Sequence, residues 1–142
     1  VLTKASPEEQ SAYINQHIGP HEMQLTRNTG ALASMLHCRG GRMDVCHLAF
    51  GAETRIFAGQ LRHYYHLHLI LQGNCAYETS KGTVLLQPGD AWIILPRENV
   101  DLTYSHDCEQ LMVRIPSEIF NEVCLEHGWP RPIEHIEFNR TP

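Results

Sequence analysis

No stretch of this chain approaches the roughly 18 consecutive apolar residues that a membrane-spanning helix requires. No charged-then-apolar signal segment opens the sequence as given. Lysine is scarce: Lys4 and Lys81 are the only two, and the formal net charge is −5. Phosphate contacts demand a basic surface, so this segment is not expected to bind nucleic acid by itself. The five cysteines, Cys38, Cys46, Cys75, Cys108 and Cys124, are odd in number and irregular in spacing. That argues against a secreted disulfide framework and points to a reducing cytoplasm. A Gly-x-Ser-x-Gly elbow, a glycine-rich phosphate loop, an internal repeat and a low-complexity tract are all missing.

What is there is enough for one domain with a real core, in 142 residues. Ten histidines are many for this length. They are candidate ligands or pH-sensitive groups, although several must be surface or packed residues. The chain opens at Val1 rather than methionine, so a few native residues are expected before it. The tail from Ile133 to Pro142 has no evident core to join, as expected of a fragment cut from a longer protein.

Ser6-Pro7-Glu8-Glu9 reads as a helix start. Ser6 can cap, Pro7 suits the first helical position, and Glu9 completes a capping box. Tyr13, Ile14 and Ile18 give helical spacing until Gly19-Pro20, predicting a helix over Pro7–His17. Ten strands are then predicted near Glu22–Leu25, Ala33–Cys38, Met43–Phe50, Thr54–Phe57, Tyr64–Leu71, Cys75–Thr79, Thr83–Gln87, Ala91–Leu95, Val100–Tyr104 and Gln110–Ile115. Glycine, asparagine, aspartate and proline separate them, as in a sandwich or barrel. Pro116-Ser117-Glu118 opens a second helix with Ser117 as its cap, and Ile119, Phe120, Val123 and Cys124 form its apolar face. Gly128 ends it.

The most informative run is Tyr64-Tyr65-His66-Leu67-His68-Leu69-Ile70-Leu71-Gln72-Gly73. His66 and His68 lie two apart on a strand and therefore share a face. With the Pro88-Gly89-Asp90 turn and the apolar strand Ala91-Trp92-Ile93-Ile94-Leu95-Pro96, the run suggests a mainly β, cupin-like jelly-roll barrel. Two arrangements remain open: both imidazoles inward beside a cavity, or both exposed with Leu67, Leu69 and Leu71 facing the core. A metal cupin would add a glutamate shortly after the His-x-His and a further histidine after the proline turn. Here Gln72 follows, Glu78 is the nearest glutamate, and after Pro96 no histidine comes until His106, so the set is poor for iron or zinc.

His37-Cys38 and Cys46-His47 mimic a zinc tetrad. If Gly40-Gly41 is a two-residue hairpin loop, Arg39 faces Arg42, Cys38 faces Met43 and His37 faces Asp44. The four groups then do not converge, and a His37–Asp44 cross-strand pair is expected instead. Leu111, Val113 and Ile115 are expected to face inward, which places Arg114 outside. Thr54 and Ile56 are likewise expected inside, with Arg55 outside. Arg42 and Arg62 flank strand ends and could reach a barrel mouth.

Several segments together resemble the regulatory domain of AraC/XylS-family transcription factors, nearest to the XylS-like branch. They are Tyr13-Ile14-Asn15-Gln16-His17-Ile18-Gly19, Tyr65-His66-Leu67, Ile70-Leu71-Gln72-Gly73, Gln87-Pro88-Gly89 and Asp101 through Gln110 running into Val113-Arg114-Ile115-Pro116-Ser117. The resemblance runs from about Tyr13 to Phe138. It implies the sensor half of a cytoplasmic bacterial activator, with a cupin-like barrel for a small effector. In the XylS-like branch the effectors are aromatic carboxylates and the controlled genes encode aromatic degradation. DNA would be read by a C-terminal pair of helix-turn-helix units absent from this chain. Helices that form dimers in the family follow the barrel, which leaves room for a homodimer. His68 departs from the branch, where a glutamine is similar in placement, and this departure points to a different effector.

The expectation is therefore a single regulatory domain over residues 1–142, not an enzyme, using neither cofactor nor metal. An aromatic acid would enter a barrel lined by Tyr64, His66, His68 and Trp92. Its carboxylate would bind Arg42, Arg62 or His37 through charge-assisted hydrogen bonds. The alternative is a metal-dependent cupin dioxygenase or isomerase using His66 and His68.

Overall fold

The computed structural model describes residues 2–17, 21–25, 33–130 and 136–138. Among them a short strand, β1 (Leu2–Ala5), precedes helix α1 (Pro7–His17). Ser6 caps the helix, its Oγ accepting from the Glu9 amide at 3.1 Å. The return contact differs from a standard capping box. The Glu9 carboxylate accepts from the Ser6 hydroxyl at 3.3 Å.

Strands β2 (Glu22–Leu25), β3 (Ala33–Gly40), β4 (Met43–Ala49), β5 (Thr54–Ala58), β6 (Tyr64–Gln72), β7 (Cys75–Thr79), β8 (Gly82–Leu86), β9 (Ala91–Ile94), β10 (Val100–Tyr104) and β11 (Glu109–Pro116) follow. Helix α2 (Ser117–Glu126) comes next, then β12 (Ile136–Phe138). The ten predicted strands are all present. Two are added: β1 pairs with β3, and β12 pairs with β9. The tail thus joins the sheet it was expected to miss, through main-chain pairing that side-chain periodicity does not announce.

The strands form two antiparallel sheets in the order β1-β3-β4-β11-β6-β9-β12 and β2-β5-β10-β7-β8. The late strand β11 lies between β4 and β6, and β10 lies between β5 and β7. These exchanges close the two sheets over one another as a cupin-like jelly roll. Their facing sides bury Phe50, Ile56, Ile70, Tyr77, Trp92, Ile94, Leu102 and Tyr104. Each large side chain so buried contributes roughly 1.5–3 kcal/mol.

The β3–β4 hairpin turns one residue later than expected. Gly40 pairs with Met43, and the loop is Gly41-Arg42. Gly41 takes the left-handed backbone (φ 61°) that favours glycine. His37 therefore lies opposite Cys46, and it reaches Asp44 diagonally, Nε2 to Oδ1 at 2.8 Å. Cys46 is buried while Cys38 is exposed, because alternation turns them to opposite faces of the sheet.

Helix α1 covers one end of the large sheet. Ile14 and Tyr13 pack on Met35, Cys46, Leu48 and Met112. The fully buried Gln10 amide donates to the carbonyls of Ser34 (2.6 Å) and Ala49 (3.2 Å) at the meeting ends of β3 and β4. Helix α2 covers the outer face. Phe120 stacks on Tyr65 with ring centroids 3.9 Å apart, beside Ile93, Leu95 and Leu67. Its cap is Pro116 rather than Ser117. Ser117 is the first helical residue, and its amide donates to the His63 carbonyl at 2.8 Å.

Candidate functional site

A cavity of about 1060 Å³ lies between the sheets, walled by β4, β11 and β6 on one side and β5 and β10 on the other. Ile14 of α1 closes one flank, and residues 59–63 form the rim. Its apolar lining includes Leu48, Phe50, Ile56, Leu102 and Met112.

The polar wall follows from strand register. Asp44 of β4, Arg114 of β11 and His66 of β6 share one cross-strand row. Cys46, Met112, His68 and Trp92 form the next. Leu48, Gln110 and Ile70 form the third. Directly opposed residues share a face, so one inward His66 commits Arg114 and Asp44 to the same side.

Arg114 is thus a correction. It points inward, and Leu111, Val113 and Ile115 face outward, where Ile115 packs beside Phe120. Its guanidinium carbon lies 3.5 Å from the Tyr64 ring centroid, and Nη1 meets Asp44 Oδ2 at 3.5 Å. The side chain is only 15 % exposed. Asp44, almost fully buried, also holds His37, which meets the Tyr13 hydroxyl at 3.0 Å.

The imidazoles form the adjacent part of the wall, with ring centroids 6.0 Å apart. Burial lowers the pKa of both. His68 and then Arg114 depress His66 further, leaving it well below 6.5. For His68 the Gln110 hydrogen bond opposes the effect of burial. Both rings are therefore neutral at neutral pH. The His68 ring is 5 % exposed, and Nδ1 lies 2.9 Å from Gln110 Oε1. A carbonyl oxygen only accepts, so Nδ1 carries the proton. Nε2 is buried and has no hydrogen-bond partner among the described residues.

Of the residues expected at a site, Arg62, Tyr64, His66 and His68 line the cavity. Arg62 adopts φ 61°, uncommon for a side-chain-bearing residue, and its amide donates to the Pro96 carbonyl at 2.8 Å. Three residues lie elsewhere. Trp92 is fully buried in the core against Tyr77 (centroids 4.9 Å apart). His37 is tied to Asp44 and Tyr13 beyond the cavity wall. Arg42, 58 % exposed in the hairpin loop, meets Glu118 at 3.3 Å. Arg114 and Gln110 were not expected in the lining, and their signal is register, which follows once β11 is known to lie beside β6.

Among the described residues no three histidine, cysteine or acidic side chains gather as a metal site. The nearest charged neighbour of the imidazole pair is the cation Arg114, which further disfavours a metal ion there.

A partly open, mainly apolar chamber with a few convergent polar groups has the form of a small-molecule site. Residues 11–137 match the AraC-binding-like domain, and the chain belongs to that family. It is 34% identical over 138 residues to XylDLEGF operon transcriptional activator 3 of Pseudomonas putida, covering 97% of this chain and 42% of that protein. The chain spans about two fifths of the length of the curated relatives it matches. In fold it is similar to the AraC-like transcriptional activator CuxR, with TM-score 0.66, 13% identity, and coverage of 86% of this chain and 48% of that one. It is also similar to an RmlC-like cupin protein from Desulfovibrio desulfuricans, with TM-score 0.50, 10% identity, and coverage of 59% and 82%. Among the described residues no helix is long and apolar enough to cross a membrane.

Proposed function

We propose that this chain is the effector-sensing domain of a cytoplasmic bacterial transcription activator, and that its cavity takes a small aromatic carboxylate. The observation that carries the reading is Arg114: a guanidinium fork beside Asp44, stacked on Tyr64, on the polar wall of an otherwise apolar chamber. A ring buries against Phe50, Ile56, Leu102 and Met112. The carboxylate takes parallel hydrogen bonds from the guanidinium. Arg62 at the rim supplies a second cation.

The role is regulatory rather than enzymatic. DNA is read by a helix-turn-helix region outside this single domain, and the genes controlled serve aromatic catabolism. Occupancy shifts the population of a conformation that a homodimer or the DNA-reading region responds to. This coupling requires that the ligand favour one state over the other.

Calorimetric titration of the chain with benzoate, salicylate, anthranilate and toluates, in chelator, tests the reading. Saturable binding in chelator supports it. Binding that returns only with added iron or zinc replaces it with the metal-dependent cupin using His66 and His68.

A further inference from the structure

We infer that His37 is a positioning residue for the acid site. It holds the Asp44 carboxylate from behind, keeps it from closing on Arg114, and so leaves the guanidinium donors to the effector. The inference rests on the aromatic-acid reading of the same cavity and adds to it a residue that does not touch the ligand.

Arg114 lines the cavity, whereas Asp44 and His37 do not. Asp44 is 2 % exposed, so its carboxylate depends on protein neighbours rather than water. Those neighbours divide its two oxygens. Oδ1 lies 2.8 Å from His37 Nε2, with the exposed Arg39 side chain further off at 3.8 Å. Oδ2 faces Arg114 Nη1 at 3.5 Å and has no hydrogen bond among the described residues. A guanidinium–carboxylate pair that is free to close does so at about 2.7–2.9 Å, often through two parallel bonds. Arg55 and Asp101 do this elsewhere in the molecule, at 2.9 and 2.8 Å. The Arg114 pair stops short of that. Charge keeps the fork beside Asp44, while its N–H donors remain available to an incoming carboxylate.

The restraint lies on the far side of Asp44. A carboxylate oxygen only accepts, so His37 Nε2 carries the proton of that bond. His37 Nδ1 meets the Tyr13 hydroxyl at 3.0 Å, and the Tyr13 ring meets the imidazole edge-on with centroids 5.8 Å apart. Tyr13 belongs to α1, which Gln10 fastens to the Ser34 and Ala49 carbonyls. With both ring nitrogens engaged, His37 cannot turn, and Asp44 cannot swing toward Arg114 without losing its shortest bond. The Tyr64 ring, 3.5 Å from the guanidinium carbon, holds the fork itself in place.

The test is calorimetry of the chain and its variants with benzoate, salicylate, anthranilate and toluates. His37→Leu frees Asp44 to close on Arg114 and is expected to weaken binding of these acids about tenfold. In His37→Gln the side-chain amide can donate to Asp44 in place of Nε2, and most of the affinity should return. Equal losses in the two variants overturn the inference, as does an unchanged or raised affinity in His37→Leu. In Arg114→Lys the fork is gone, so adding His37→Leu should weaken binding by less than about twofold more. A loss of the same size in both backgrounds would make His37 merely structural and overturn the inference. Should His37→Leu fail to fold, Tyr13→Phe takes its place, with an expected loss of about threefold that vanishes in Arg114→Lys. No loss there overturns the inference while the aromatic-acid reading stands. If none of these acids binds the unaltered chain, both fall.

Discussion

The Arg114 guanidinium lies over the Tyr64 ring, its carbon 3.5 Å from the centroid, and its Nη1 meets Asp44 Oδ2 at 3.5 Å. Stacking holds the fork in one plane, so less side-chain freedom is lost when an anion arrives. Arg114→Lys keeps the charge but removes both the plane and the paired donors. Titration of this variant should show affinity for aromatic carboxylates lowered about tenfold to a hundredfold. Unchanged affinity would remove Arg114 from the site.

Acid should destabilise the fold through the two cavity imidazoles. Both have folded-state pKa values depressed below 6.5 by burial, with His68 and Arg114 adding to the effect on His66. The unfolded chain therefore binds protons first as pH falls. Stability from this source is complete above about 6.5 and declines below it, with a slope approaching about 1.4 kcal/mol per pH unit for each ring. Urea midpoints measured from pH 8 down to pH 5 should fall below 6.5. His66→Gln should flatten the curve, and a slope unaltered in that variant would place the effect elsewhere.

Gly73 should resist substitution. Its φ is 71°, and an added Cβ would lie 2.6 Å from Ser105 Oγ, 2.7 Å from Asp107 Oδ1 and 2.7 Å from Cys108 Cα. The last is main chain and cannot swing aside. Gly73→Ala should cost about 2 kcal/mol or more, read as a lowered denaturant midpoint. A midpoint like that of the unaltered chain would mean the β6–β7 turn can shift freely.

The cysteines should divide sharply under a thiol reagent. Cys38 is exposed; Cys46, Cys75, Cys108 and Cys124 are buried. Burial pushes the Cys46 and Cys108 thiols up to about 12 and raises Cys75 as well. One thiol should react in the native chain and five after unfolding. A second fast thiol without denaturant would reveal local opening of the core. Blocking Cys38, which faces away from the cavity, should leave aromatic-acid affinity unchanged.

Much of the architecture was legible because turn chemistry and period agree. Pro7–His17, Glu22–Leu25, Cys75–Thr79 and Val100–Tyr104 occur with the expected bounds. The β3–β4 register went astray because Gly40 and Gly41 both permit a turn, and only the second takes the left-handed backbone. The inward face of β11 was reversed for a different reason. Alternation places apolar side chains inside when the interior is an oily core. Here Gln110, Met112 and Arg114 serve a polar chamber wall, while Ile115 is partly covered from outside beside Phe120. The same inversion distinguishes His66 and His68 from Leu67 between them. Trp92 was expected in the lining as a large aromatic, yet it packs on Tyr77 one strand beyond the cavity.

Gln10 has a consequence for how the chamber can open. Its amide clasps the Ser34 and Ala49 carbonyls, so lifting α1 would strand three buried polar groups at once. The helix is a bolted panel. The rim at residues 59–63 is held more lightly: among the described residues its main-chain tie to β9's end is the single bond from the Arg62 amide to the Pro96 carbonyl, at a backbone angle that favours glycine.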